Sequence, residues 1–239
     1  VILEDSKYVS QLELLDPASV ADLCHKLSDP ELTAALTVLY KYVNTDAVKD
    51  SEVFMHVMDR VVTKTDFLEA PASSKFHLNY QGGLLRHSLG VTYRLWSLDG
   101  PYRLYPQYSY LDLFLVGLLH DLGKAGQVSY DEYRALKSIP YYSREAYKTK
   151  PGEYKYVRNT ERTVMSVPMG SLHTISMLLS DVWKPSPDAY QAIGYHDGLY
   201  VPEGRHVAQS ECKLLLALHH SDIYQCRYEG EWCKENWSA

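Results

Sequence analysis

The stretch Leu118-Leu119-His120-Asp121-Leu122-Gly123-Lys124 constrains this chain more than any other. It closes an apolar run over residues 111–119 that reads as a buried helix. A His-Asp pair at the end of such a helix is costly, because an unpaired buried charge loses roughly several kcal/mol. One remedy is local: the aspartate caps the helix and bonds the histidine. The other is a divalent cation, and imidazole nitrogen with carboxylate oxygen suits Zn, Mn, Fe or Ni better than Ca.

The rest of the chain supplies further donors for the second remedy. His87 follows Gly82-Gly83-Leu84-Leu85-Arg86. His173 lies in Ser171-Leu172-His173, His196 in Tyr195-His196-Asp197-Gly198, and Asp222 in His219-His220-Ser221-Asp222. Each sits in or beside an apolar segment of helical character.

This order, a His, then His-Asp, then later His residues, then an Asp, resembles the HD-domain metal-dependent phosphohydrolase superfamily over most of the chain, about 67–228. The run Ala70-Pro71-Ala72-Ser73, followed by His77 and then Gly82-Gly83-Leu84-Leu85-Arg86-His87, is similar to the HD regions of bacterial 3′→5′ exoribonucleases and of some conjugative relaxases. The resemblance implies an all-α helical bundle. It also implies His87, His120, Asp121 and Asp222 on one divalent metal (Mn, Fe, Zn, Ni, Co or Mg). In two-metal members Asp121 bridges and later histidines hold the second ion, a role that falls to His173 and His196. Where such members often carry two adjacent histidines this chain has His196-Asp197, so Asp197 is a candidate ligand or pocket residue and the ion count stays at one or two. Lys124 is implied as the phosphate cation and, with Asp121, as a catalytic residue. Arg86 and His77 are candidate substrate contacts, and His219 joins them because it shares a helix face with Asp222.

The implied activity is hydrolysis of nucleotide phosphoesters, from a dNTP or a nucleoside monophosphate, by metal-activated water. A single-strand 3′→5′ exonuclease, a cyclic (di)nucleotide phosphodiesterase and a non-catalytic nucleotide-sensing module remain as alternatives. The net charge of −6 argues against a protein that coats duplex nucleic acid. A nucleotide is the expected partner, with single-stranded nucleic acid as the other. A monomer or a homo-oligomer fits equally. No apolar run has the roughly 18 residues that a membrane helix needs, and no stretch reads as a signal peptide. Four cysteines without a CxxC pair suggest free thiols and a cytoplasmic setting.

Residues 1–66 read as a helical extension, with Asp16-Pro17 and Asp29-Pro30 as helix starts and a third helix over 51–63. His25 and His56 are read as surface or packing residues. Helices are expected over 84–96, 110–122, 170–179, 187–195 and 210–226, and a tail after 229. Between them, 127–168 is an insertion rich in tyrosine and cations: Arg134, Lys137, Arg144, Lys148, Lys150, Lys155, Arg158 and Arg162. A turn at Pro151-Gly152 between Tyr147-Lys148-Thr149 and Tyr154-Lys155-Tyr156-Val157 suggests a β-hairpin over the site. Its cations and rings suit phosphate and base recognition, or equally a solvated surface excursion.

Overall fold

The computed structural model describes residues 7–46, 48–130, 136–147, 154–163 and 165–237. The chain is mostly helical, as expected. Four helices, α1 (Lys7–Leu12), α2 (Pro17–Leu23), α3 (Asp29–Asp46) and α4 (Val48–Lys64), precede the first candidate ligand. Asp16 caps α2 by accepting from Ser19 N at 3.0 Å. At α3 the expected Asp29 cap gives way to Ser28, whose N–H donates to Glu31 Oε2 at 2.8 Å and whose carbonyl accepts from Leu32 N at 2.9 Å. These helices contribute to the same core as the rest of the fold. Val9, Val20, Leu39, Phe54 and Val57 share one buried core with Leu89, Phe114 and Leu218.

The next helices are α5 (Gly83–Ser97), a short α6 (Asp99–Tyr102), and α7 (Tyr110–Leu119). The entrance to α5 explains the double glycine. Gly82 has φ +79°, and a Cβ on Gly83 would lie 2.1 Å from the Leu78 carbonyl oxygen. The 70–83 loop is thereby pressed onto the start of the His87 helix. Helix α7 is buried from Leu113 to Leu119 and lies against α5.

After a 3₁₀ turn (Leu122–Ala125) come two antiparallel pairs: β1 (Gln127–Tyr130) with β2 (Leu136–Ile139), and β3 (Tyr142–Ala146) with β4 (Tyr154–Arg158). The expected hairpin exists, but its first strand is 142–146 rather than 147–149. The β1–β2 pair was not foreseen. Arg134, Lys148, Thr149, Lys150, Pro151 and Gly152 lie outside the described residues, as does the side chain of Lys137. The four remaining cations of the insertion all have partners. Arg144 donates to Gln81 Oε1, Lys155 pairs with Glu145, Arg158 donates to the Tyr141 hydroxyl, and Arg162 lies 3.9 Å from the centre of the Tyr141 ring. Those contacts brace the insertion internally and, through Arg144, against Gln81.

Helices α8 (Val167–Leu179), α9 (Pro187–Tyr195) and α10 (Lys213–Trp237) complete the fold. The α10 helix does not stop at 226 and leaves no tail at 229. It continues to Trp237, and Trp232 packs edge-on against the buried His25. His25 is therefore a packing residue, and burial pushes its imidazole down to about 4.

Among the described residues no helix is long and apolar enough to cross a membrane. All four cysteines are free.

Candidate metal centre

Three helix ends and one helix face bring the donors together. His87 projects from the first turns of α5, His120 caps the C-terminus of α7, and Asp121 follows it. His196 caps the C-terminus of α9, and Asp222 comes from the middle of α10. His87 and His120 are wholly buried, and Asp121 is 3% exposed. Asp121 lies 3.6 Å from His87 Nε2, 3.5 Å from His120 Nε2 and 3.6 Å from His196 Nε2. Asp222 Oδ1 lies 3.1 Å from His87 Nε2 and 3.7 Å from His120 Nε2. Donors bound about 2.1 Å from one ion sit roughly 3.0–3.4 Å apart at octahedral or tetrahedral angles. The cluster is therefore near ligand spacing.

The tautomers point the same way. His120 Nδ1 donates to the Gly117 carbonyl at 2.7 Å and His196 Nδ1 to the Ile193 carbonyl at 2.9 Å. His87 Nδ1 meets Glu229 Oε2 at 2.9 Å. Each ring thus spends its Nδ1–H on an outer partner and turns Nε2 toward the two carboxylates, the arrangement that orients metal-bound histidines. The fit to a cation is clearest at His120 Nε2, which is buried without a hydrogen-bond partner among the described residues. A lone pair aimed at carboxylate oxygens is stable only with a proton or a metal ion between them.

Protons serve in the ion-free state. Burial opposes charge on His87, but Glu229 and Asp222 outweigh it and push the imidazole up to about 10. Burial likewise opposes charge on His196, and the Asp121 carboxylate raises it to about 9. Burial works against ionised Asp121 and Asp222, yet Lys124 and His120 hold the first, and His120 and His87 the second, well below the usual carboxylate range. The carboxylate contribution is present above pH 3.8 and is lost as the pH falls further. The histidine contribution is complete below pH 6.5 and is lost as the pH rises through about 9 and about 10. Thermal melting of chelated protein should therefore show a midpoint falling across that alkaline window. Excess Zn or Co should flatten the fall, and an unaltered slope would argue against a metal here.

Lys124 is held by Asp121, and although burial disfavours its ammonium, that carboxylate keeps it charged. Asp197 and His77 both line a cavity of about 590 Å³ that reaches Asp222. Burial, then the neighbouring His87, pushes the His77 imidazole down to about 4.

Three expected residues are not in the cluster. His173 donates from Nε2 to the Val128 carbonyl at 2.7 Å, which pins β1 to α8 and removes that nitrogen as a ligand. The α8 residue that meets the His-Asp turn is Ser171, which accepts from Gly123 N at 2.8 Å and donates to the His120 carbonyl at 2.7 Å. Arg86 turns outward to the Leu27 carbonyl and Asp29, each at 3.2 Å. His219 stands behind the site and meets the His196 carbonyl through Nδ1 at 2.5 Å.

Two residues were missed. Glu229 is wholly buried, and Gln225 Nε2 donates to its Oε1 at 3.0 Å and to the Ala21 carbonyl at 3.2 Å. Cys226 lies 3.4 Å from Asp222 Oδ1 and 3.6 Å from His77 Nε2. The available signal was the spacing of Asp222, Cys226 and Glu229 at i, i+4 and i+7, one helix face. Compared with protein-family models, with curated proteins and with solved structures, the chain matches none.

Proposed function

We propose that this chain is an HD-type metal-dependent phosphohydrolase that hydrolyses phosphoesters of a free nucleotide, a dNTP or a nucleoside monophosphate. The observation that carries this reading is the convergence of three Nε2 atoms, one of them orphaned, on two buried carboxylates. His87, His120, Asp121 and Asp222, with His196 beside Asp121, would hold a divalent ion, which would supply Lewis acidity toward water and a phosphoryl oxygen.

The chain's own groups do the rest. Lys124 keeps its proton and offers N–H donors to phosphoryl oxygens as charge develops on them. Glu229 and the two backbone carbonyls fix the ring orientations, so the donors need no rearrangement during the reaction. The cavity of about 590 Å³ beside Asp222 has Lys75 and Arg227 on its wall, and the exposed rings of Phe76 and Tyr200. Cations for phosphate and rings for a base suit a nucleotide. Phe76 is 79% and Tyr200 72% exposed, and rings so open also suit stacking along a single strand, which supports 3′→5′ exonuclease activity as the second reading. Free thiols fit a reducing compartment such as the cytoplasm.

The test is a screen of nucleotides and end-labelled oligonucleotides with and without Mn or Co. Phosphate, pyrophosphate or triphosphate released from mononucleotides, and abolished by chelation, is the expected result. Shortened oligonucleotides would transfer the assignment to the second reading. Metal-loaded protein that turns over neither would overturn both.

A further inference from the structure

We infer that His77, Cys226 and Asp222 form an additional metal position, one with a sulfur donor, on the cavity side of the centre. The inference rests on the reading above that this is a metal centre, and extends it to His77 and Cys226, which that reading does not use.

Cys226 stands at ligand spacing from each of the other two donors. Cys226 Sγ lies 3.6 Å from His77 Nε2 and 3.4 Å from Asp222 Oδ1. An ion about 2.3 Å from sulfur and about 2.0–2.1 Å from nitrogen or oxygen puts those pairs roughly 3.5–3.6 Å apart at tetrahedral angles. His77, His87 and Cys226 each bring a ligand atom within 4.8 Å of the others. Asp222 stands at the junction, with Oδ1 also 3.1 Å from His87 Nε2, where a carboxylate can serve two ions.

Local structure holds the donors there. Asp222 and Cys226 are one helical turn apart on α10 and share a face. His77 is carried by a loop closed on itself: Ser73 Oγ donates to the His77 carbonyl at 2.7 Å, Ala72 N to the Leu78 carbonyl at 3.1 Å, and Leu78 takes φ +42°. That closure sets the His77 ring 4.9 Å from the His87 ring, centre to centre. His77, Cys226 and Asp222 all line the cavity, so water or a phosphate oxygen completes the coordination. On binding, the thiol proton is released to solvent as the sulfur–metal bond forms, and nothing is oxidised. The soft donor favours Zn, Co or Fe(II) over Mg.

The test titrates Co(II) into the chelated protein while bound cobalt is counted and the near-ultraviolet spectrum recorded. Wild-type protein is expected to bind one cobalt more than Cys226→Ser and to show an intense thiolate-to-cobalt band that this variant lacks. His77→Gln removes a direct ligand and should weaken the same ion by more than the about 10–100-fold that an outer partner costs, while the remaining cobalt stays bound. Circular dichroism verifies that both variants fold. Equal cobalt counts in wild type and Cys226→Ser with no thiolate band overturn the site and leave a hydrogen-bonded thiol. A band that persists in Cys226→Ser assigns the sulfur to another cysteine and also overturns it. If no cobalt binds at all, the parent metal-centre reading falls too, and the two failures are thereby told apart.

Discussion

Asp121→Asn is expected to remove bound metal and nucleotide hydrolysis together while the far-ultraviolet helical signal stays intact. Asp121 faces all three imidazoles as well as Lys124. Asparagine keeps its shape but brings no charge to offset a cation. Losing an outer partner of a metal ligand costs about 10–100-fold in affinity or activity, and losing a central ligand should cost more. Metal content by elemental analysis and initial rates of phosphate release measure the two effects. If the variant retains both, Asp121 is a capping aspartate and the metal centre is wrong.

Glu229→Ala should be the most destabilising single change near the site. It strips a wholly buried carboxylate from the His87 Nδ1 and the Gln225 amide in one step. Breaking a buried pair by deleting one partner costs about 3–5 kcal/mol, since the other group is left charged or unsatisfied. Denaturant unfolding of chelated protein reads this directly. Glu229→Gln keeps one of the two acceptor oxygens and the side-chain volume and should lose less, while metal affinity falls by about 10–100-fold as the support of His87 weakens. An unchanged unfolding midpoint in the alanine variant would mean that Glu229 does not support His87.

Much of the centre was legible in the sequence because its donors mark helix ends. His120-Asp121 ends an apolar run and His196 ends another, so chemistry and helix termination coincide there. His87 was visible behind its two glycines, whose need is steric. His173 misled because it was taken by type rather than by face: two residues earlier, Ser171 meets the turn, while His173 serves the strand beside it. Glu229 was hidden because the last three turns of α10 look polar, and a charged residue there reads as solvated. Only the completed packing of α2 and α5 against that helix covers it. Arg86 illustrates a further limit, since its partner Asp29 is far away in sequence. The β1–β2 pair carries no strong local turn signal.

The hydrogen bonds that run from the Ala21 carbonyl through Gln225 and Glu229 to His87 have an engineering consequence. The opening helices and the candidate metal centre cannot be treated as interchangeable modules. Grafting a foreign helical pair in place of α1 and α2 would leave Gln225 unanchored and the first imidazole free to swivel, even if the graft filled the same volume.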